Sequence, residues 1–96
     1  MYQILSTKKF DKRFVQITKK NKQIKKKILV ALEKIRQNPY NPSLRSHKVN
    51  ARSLGVKWSS FVTKDIRIIW DFDKNNDMIL IMLTLGSHSG KHKVYN

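Results

Sequence analysis

The chain has 96 residues, 40% of them hydrophobic, and its 21 Lys and Arg against 6 Asp and Glu give a formal charge of +15. This length supports one hydrophobic core and excludes a cleft between two domains, so we expect a single domain over residues 1–96. The lack of cysteine excludes disulfides and thiol chemistry, and no apolar run approaches the roughly 20 residues of a membrane span. We therefore expect a cytoplasmic protein without a membrane partner.

The positive charge is concentrated in the first half of the chain. Residues 1–50 carry a net charge of +12, whereas residues 51–96 carry +3. A surface of one sign attracts polyanions, while a merely solubilising surface is usually mixed in sign. The charge therefore predicts nucleic acid or an acidic protein as the partner.

The N-terminal part predicts a short strand followed by a helix. Residues 2–5 are an extended segment, and Ser6 or Thr7 is the predicted N-cap of a helix that reaches about Lys20. Its apolar residues at helical spacing are Phe10, Phe14 and Ile17.

A second helix follows the break in the pattern at Asn21. One apolar face is formed by Ile24, Ile28, Ala31, Leu32 and Ile35. Pro39 disfavours helical geometry in the residue before it, so this helix is predicted to stop near Asn38. Two helices joined so closely predict an αα-hairpin.

The second half of the chain changes to the period of two that indicates strands. After a predicted loop through Asn50 and Gly55, residues 56–62 and 66–72 alternate in this way, which places Trp58 and Trp70 on the face that meets the helices. A polar turn at residues 73–77 predicts an antiparallel hairpin with residues 78–85, a strand that we expect to be central.

The order of elements is therefore predicted to be β-α-α-β-β-β. This is an α+β fold in which a helical hairpin packs on one face of a small, mainly antiparallel sheet.

The residue types available for chemistry suit metal-independent cleavage of RNA. The sequence has no glycine-rich phosphate loop and no paired carboxylates for two-metal hydrolysis. The histidines at 47, 88 and 92 lack a spacing that fixes a metal site, so no metal is predicted. His, Lys, Arg and Tyr suffice for phosphodiester cleavage by the neighbouring 2′-hydroxyl, which needs one proton removed, one donated and the phosphorane charge stabilised.

Three stretches form a recognisable set. They read Leu-Arg-Ser-His-Lys-Val at 44–49, Asp-Ile-Arg-Ile-Ile-Trp at 65–70, and Leu-Gly-Ser-His at 85–88 followed by Val-Tyr at 94–95. In this order the set resembles the RelE/ParE-like toxins of bacterial type II toxin–antitoxin modules, and most closely the YafQ branch of mRNA interferases. The resemblance covers nearly the whole chain. It implies a RelE-like fold and cleavage of mRNA in the ribosomal A site.

The resemblance also implies catalytic roles for His88, His47, Arg67, Asp65 and Tyr95. His88 matches the histidine of the branch's Gly-x-His motif and is expected to protonate the leaving 5′-oxygen, while His47 is the base or a phosphate contact. Arg67 matches the strand arginine of the RelE branch and is expected to hold the scissile phosphate. Asp65 matches the acid before that strand, and Tyr95 a terminal aromatic that stacks on a base. Phe61 stands where the YafQ branch has a further histidine.

Each role has a structural alternative. Either histidine could simply face solvent, and Arg67 could form an ion pair with Asp65 or Asp71. Tyr95 could fasten the C-terminal segment to the sheet.

Five lysines are expected to bind RNA. Lys48 and Lys57 are the candidates for the paired lysines of the RelE branch, and Lys48 is expected to assist Arg67. Lys25 and Lys26 belong to a basic cluster expected to contact ribosomal RNA phosphates, and Lys91 lies in the C-terminal segment.

Three functions remain open on the sequence. The first is the ribosome-dependent endoribonuclease, kept inactive by a cognate acidic antitoxin and monomeric when free. The second is a toxin of the ParE type, which inhibits DNA gyrase without cleavage. The third is a basic RNA- or ribosome-binding protein without catalysis.

Overall fold

The structure, a computed structural model, describes residues 1–87. The elements along the chain are β1 (Gln3–Ser6), α1 (Lys8–Thr18), α2 (Lys22–Gln37), a 3₁₀ turn (Pro42–Leu44), β2 (His47–Ala51), β3 (Gly55–Phe61), β4 (Ile66–Phe72) and β5 (Ile79–Ser87). The strands form one sheet in the order β1-β5-β4-β3-β2, with β1 parallel to β5 and all other pairs antiparallel. The predicted α+β class and helical hairpin are confirmed.

Both helices begin at side-chain caps, of which Thr7 was predicted, whereas Asn21 was predicted only as a break between the helices. Thr7 Oγ1 accepts the backbone N–H of Phe10 at 3.1 Å, and Asn21 Oδ1 accepts that of Ile24 at 3.1 Å. Each cap satisfies an N–H group that has no partner within the helix. The second helix ends at Gln37, with Asn38 as its C-cap immediately before the buried Pro39, which confirms the predicted stop near Asn38.

The Thr7 hydroxyl also ties α1 to the sheet, because it donates to the carbonyl of Leu83 in β5 at 2.8 Å. We expect Thr7→Ala to lower the free energy of unfolding by about 1–2 kcal/mol, since both the cap and this bond are lost. Thr7→Ser keeps the hydroxyl and is the matched control. Urea denaturation measures both, and equal losses in the two variants would contradict the assignment.

The helices cover one face of the sheet and form the core there. Fully buried side chains include Ile28 and Ile35 of α2 and Trp70 of β4. Trp58 stacks on Trp70, with ring centroids 5.5 Å apart and planes 13° from parallel. The interpretation of both tryptophans as core residues is therefore confirmed. No helix of residues 1–87 is long and apolar enough to cross a membrane.

A chain of hydrogen bonds links the buried Trp70 of the core to Pro39, just after the end of α2. Trp70 Nε1 donates to Ser60 Oγ at 2.7 Å, Ser60 and Ser46 hydroxyls are 2.7 Å apart, and Ser46 Oγ donates to the Pro39 carbonyl at 2.6 Å. Because Ser46 uses its proton on Pro39, Ser60 donates to Ser46 and accepts from Trp70. The indole N–H is thus satisfied inside the core.

The predicted loop through Asn50 and Gly55 is wrong, because the structure forms an additional strand there. Residues His47–Ala51 make β2 and pair antiparallel with β3. The strand lies at the edge of the sheet and most of its side chains are exposed, so it lacks the apolar alternation by which a strand is recognised. The turn to β3 uses left-handed backbone at Ser53 (φ 65°) and Gly55 (φ 82°). The observed order is therefore β-α-α-β-β-β-β.

The strand β5 lies between β1 and β4, which confirms its predicted central place. The register of its pairing with β4 shifts by one residue: Ile69 pairs with Thr84, but the next residue, Trp70, pairs with Met82. Leu83 is therefore an extra, bulged residue in β5. On the face away from the helices, here called the outer face, a second small cluster packs together. Its members are Ala51, Ile69, Val49, Leu54 and Leu83.

Candidate functional site

Four strand ends meet at one edge of the outer face. The Cα of His47, at the start of β2, pairs with that of Ser59 in β3, and the Cα of Phe61, at the end of β3, pairs with that of Arg67 in β4. Paired residues point to the same side of a sheet, so these side chains share the outer face. Arg67 in turn pairs with Gly86, and β5 ends at the next residue. This corner of the sheet is the candidate site.

Arg67 is half-buried, and its guanidinium donates to two backbone carbonyls. Nη1 contacts the carbonyl of Thr63 and donates to that of Ile66 at 3.2 Å. The guanidinium carbon also lies 4.9 Å from the centroid of the Phe61 ring. These contacts hold the side chain in place. Arg67 therefore contacts backbone carbonyls and an aromatic ring, and not Asp65 or Asp71, the ion-pair partners considered from the sequence.

A second arginine, Arg45, lies against the same ring. This residue was not predicted from the sequence to belong to the site. The guanidinium carbon of Arg45 lies 5.2 Å from the Phe61 centroid, and Arg45 is exposed. Its backbone is left-handed (φ 48°, ψ 40°), which turns the chain from the 3₁₀ turn into β2. Two positive charges on one ring form a strongly anion-attracting position. The available signal was that Arg45 lies two residues before His47 in the first stretch of the set.

His47 is exposed, and its ring orientation is fixed by a backbone contact. Nδ1 lies 2.7 Å from the carbonyl oxygen of Arg45. A carbonyl oxygen only accepts, so Nδ1 carries the proton and Nε2 of the neutral ring carries the lone pair. In ideal sheet geometry the Cα atoms of His47 and Arg67 are roughly 12 Å apart. This arrangement presents an imidazole nitrogen that can accept a proton and a guanidinium group on one surface of the sheet.

Two lysines expected at the site lie elsewhere. Lys48 alternates to the helix side of the sheet, where its Nζ lies 5.8 Å from the Trp58 centroid, so it is not brought together with Arg67. This placement follows from β2, because a strand sends neighbouring side chains to opposite faces. Lys57 is on the outer face, but its Nζ forms an ion pair with Asp71 at 3.1 Å.

The remaining predicted residues are distributed between the turn, α2 and the C-terminal segment. Asp65 is exposed in the turn between β3 and β4, and its N–H donates to Thr63 Oγ1 at 3.3 Å. Lys25 and Lys26 are exposed on α2, away from the outer face. The predictions for His88, Lys91 and Tyr95 lie outside the described residues.

The one carboxylate of α2 does not neutralise its lysines. Arg36 Nη2 lies 2.5 Å from Glu33 Oε1, and Gln37 also donates to this carboxylate. The hydrogen bond from Arg36, followed by that from Gln37, lowers the pKa of Glu33 to about 2. The lysines of α2 therefore keep an unbalanced positive field.

A metal centre was not predicted, and residues 1–87 place no three His, Asp or Glu side chains together as ligands. The groups at the candidate site are instead two guanidinium ions, one imidazole and an aromatic ring. Groups of these types are able to bind a phosphodiester and to move a proton beside it.

Neither a protein-family model nor a curated protein sequence matches this chain. Solved structures do match it. A YoeB/ParE toxin from Agrobacterium tumefaciens superposes with a TM-score of 0.73 at 11% identity, over 91% of this chain and 99% of the other. The chain has a RelE-like toxin fold.

Two further solved structures share this fold. The YoeB-YefM complex from Staphylococcus aureus matches at a TM-score of 0.69 and 18% identity, over 93% of this chain and 99% of the other. YafQ from E. coli matches with a TM-score of 0.64 and 18% identity, over 91% of this chain and 93% of the other. The resemblance inferred from the three short stretches is therefore confirmed at the level of the fold.

Proposed function

We propose that the chain is the toxin of a type II toxin–antitoxin module and that it cleaves mRNA in the ribosomal A site. The observation that supports this most is the corner of the outer face. There Arg45 and Arg67 lie against Phe61, and the ring of His47 is oriented with Nε2 as the proton acceptor. A fold by itself does not define an activity, so the proposal rests on these groups.

The proposed reaction begins at the 2′-hydroxyl of the mRNA. Nε2 of His47 accepts its proton, and the 2′-oxygen forms a bond to the adjacent phosphorus. Arg67 and Arg45 stabilise the additional negative charge of the phosphorane, because their donors are held in place before the reaction. This reaction needs no cofactor, since the nucleophile belongs to the substrate.

The second half of the reaction needs an acid. The bond between phosphorus and the 5′-oxygen breaks, and His88 donates a proton to that oxygen, which leaves a 2′,3′-cyclic phosphate and a 5′-hydroxyl. Asp65 and Tyr95 complete the proposed catalytic set by their match to the toxin branch, with Tyr95 stacking on a base.

The basic surface is proposed to bind the ribosome. Lys25 and Lys26 on α2 contact ribosomal RNA phosphates, and Lys48, Lys57 and Lys91 add RNA contacts at other positions. Such contacts position the protein and carry no sequence information. Because they are electrostatic, the affinity that they contribute falls as the salt concentration rises.

The proposed protein partner is an acidic antitoxin. The YoeB of Staphylococcus aureus is named in complex with YefM, and this chain has a similar fold with a charge of +15. We propose that the toxin is a cytoplasmic monomer when free and that the antitoxin covers it by rapid, salt-sensitive association.

Expression from a tightly repressed promoter tests the function. After induction, new 5′ ends are mapped across cellular mRNAs for the wild type and for the Arg67→Ala/His88→Ala double variant. We expect cuts at a fixed position within translated codons, and their loss in the double variant.

Other outcomes identify the alternatives. Growth arrest with intact messages would favour gyrase inhibition of the ParE type, a name carried by the Agrobacterium relative. Ribosome association without arrest or cleavage would favour a basic binding protein. Cleavage that persists unchanged in the double variant would reject the proposed site.

A further inference from the structure

An aromatic side chain lies exposed at the edge of the sheet, on the side that faces the helices. Tyr40, in the turn after α2, is 52% exposed. Its ring contacts the half-buried Trp58 of β3, with centroids 5.6 Å apart and planes 68° from parallel. Val56 lies on the same strand and the same face as Trp58, and it is exposed as well. These side chains form apolar surface that a partner can bury.

The turn after α2 holds Tyr40 in place. Its backbone N–H donates to Asn38 Oδ1 at 3.0 Å, and the N–H of Asn41 donates to the Asn38 carbonyl at 3.0 Å. Pro39 is fully buried, and its carbonyl accepts the Ser46 hydroxyl at 2.6 Å. A ring presented by such a fixed turn loses little conformational freedom when a partner covers it. Tyr40 is therefore preorganised for contact.

Lys48 supplies a positive charge at the same place. It lies directly opposite Trp58 in the pairing of β2 with β3, and its Nζ is 5.8 Å from the centroid of the Trp58 ring. The side chain is exposed, and neither of the ion pairs formed within residues 1–87 includes it. We refer to Tyr40, Lys48, Val56 and Trp58 together as the Tyr40 surface.

A cation beside an exposed aromatic ring matches the chemistry of single-stranded nucleic acid. An unpaired base offers a flat face to the ring, and the adjacent phosphate offers a negative charge to the lysine. An acidic peptide matches only the lysine, whereas the bases of a duplex have their faces covered by their neighbours. The combination of Tyr40 with Lys48 therefore favours RNA that contains unpaired bases.

We infer that the Tyr40 surface binds single-stranded RNA, with one unpaired base stacked on Tyr40 and the adjacent phosphate in contact with Lys48. The inference rests on the proposed function only in assigning that RNA to the ribosome. The alternation of β2 that separates Lys48 from Arg67 brings it to this surface, on the opposite side of the sheet from the candidate site. The Tyr40 surface thus holds ribosomal RNA while the outer face acts on mRNA.

The test uses the full chain and a labelled 2′-O-methyl uridine oligonucleotide of about eight nucleotides, which lacks the 2′-hydroxyl needed for cleavage. An abasic strand with the same number of phosphates keeps the charge and loses the bases. Fluorescence anisotropy near physiological salt measures Kd. We expect the strand with bases to bind about tenfold more tightly, the effect of one stacked base.

Tryptophan fluorescence locates the bound base. The chain has two tryptophans, and Trp70 is fully buried. A base stacked on Tyr40 lies beside Trp58, so we expect the strand with bases to quench the emission and the abasic strand to leave it nearly unchanged. Trp58→Phe is expected to abolish this quenching and to keep an aromatic ring behind Tyr40.

Three changes at Tyr40 separate a stacked ring from a general apolar contact. Tyr40→Phe keeps the ring face and should bind the strand with bases within about twofold of wild type. Tyr40→Leu keeps apolar volume without a ring, and we expect it to raise Kd about tenfold, as Tyr40→Ala does. None of the three should alter the affinity for the abasic strand. Circular dichroism shows whether each variant is folded.

Salt dependence tests the contact of Lys48 with phosphate. We expect Lys48→Ala to lower the slope of log Kd against log salt concentration by about 0.7, the value for one phosphate contact on a single strand. It should keep the preference for the strand with bases. Lys12→Ala removes an equal charge from an exposed position of α1 and should leave the slope nearly unchanged. Tyr40→Ala should also leave the slope unchanged.

Cleavage on programmed ribosomes keeps this inference separate from the proposed function. We expect Tyr40→Ala to raise the protein concentration for half-maximal cleavage about tenfold and to leave the plateau rate within about twofold of wild type. Binding that depends on Tyr40 in a protein without cleavage rejects the function alone. Cleavage with an unchanged half-maximal concentration in Tyr40→Ala rejects the Tyr40 surface alone.

Four binding results would overturn the inference. They are equal affinity of the wild type for the strands with and without bases, absence of quenching, equal affinity of Tyr40→Leu and Tyr40→Phe, and an unchanged salt slope in Lys48→Ala. A polyglutamate peptide is the probe for an acidic protein as the occupant. If it binds as tightly as the RNA and loses as much affinity in Tyr40→Ala, the Tyr40 surface is a protein contact instead.

Discussion

Replacing Arg67 with alanine is expected to lower the rate of RNA cleavage by about 10²–10³-fold, the loss typical of one positioned charge-stabilising group. The half-buried guanidinium is held by the carbonyls of Thr63 and Ile66 and by the Phe61 ring. It is therefore in place before negative charge develops on the phosphate. Single-turnover cleavage of mRNA on programmed ribosomes measures the effect.

Two further variants make this result specific. Arg67→Lys keeps the charge but loses the planar donor pair, so we expect it to recover only part of the rate. Arg52→Ala removes an equal charge from the exposed turn between β2 and β3 and should cleave within about twofold of wild type. If Arg67→Ala cleaves as fast as Arg52→Ala, the assignment of Arg67 to the phosphate is wrong. Thermal melts show whether the variants remain folded.

Replacing Trp70 with alanine is expected to lower the free energy of unfolding by about 3–5 kcal/mol. The indole is fully buried, stacks on Trp58, and donates its N–H to Ser60. Its removal leaves a large cavity and breaks the hydrogen-bonded chain. Urea denaturation followed by circular dichroism measures the loss, which is large compared with the total stability of a small domain.

Ser60→Ala tests the same region if the tryptophan variant does not fold. This change leaves the buried indole N–H without an acceptor and should cost about 1–3 kcal/mol. Val56→Ala on the same strand as Ser60 removes a side chain that is 64% exposed and should change stability by less than about 0.5 kcal/mol. Equal losses in the two variants would contradict the role of the hydrogen-bonded chain.

Local signals were sufficient for most of the fold. The cap at Thr7 predicted the start of α1, the break at Asn21 separated the two helices, and Pro39 predicted the stop of α2. The polar turn after Phe72 defined the hairpin with β5. The strand β2 was missed because its stability comes from backbone pairing with β3, which leaves little apolar alternation in an edge strand. The extra residue at Leu83 lies in the β4–β5 hairpin, away from its turn, and has no local sequence signal.

The site was predictable where its geometry follows from alternation. Arg67 was expected on the face away from Trp70, and the structure places it there. The role of Arg45 was missed because its contact with Phe61 depends on left-handed backbone and on the position of β2. The same omission of β2 placed Lys48 beside Arg67 rather than on the opposite face. The roles of His88 and Tyr95 stay predictions.

The parallel pair of β1 and β5 also affects how the chain reaches its native state during synthesis. Within residues 1–87, β1 (Gln3–Ser6) pairs only with β5 (Ile79–Ser87), so this sheet is incomplete until β5 has left the ribosome. Pairing between such distant segments slows folding and leaves apolar faces of the helical hairpin uncovered meanwhile. The corner formed by the ends of β2, β3, β4 and β5 therefore cannot assemble until β5 has been synthesised.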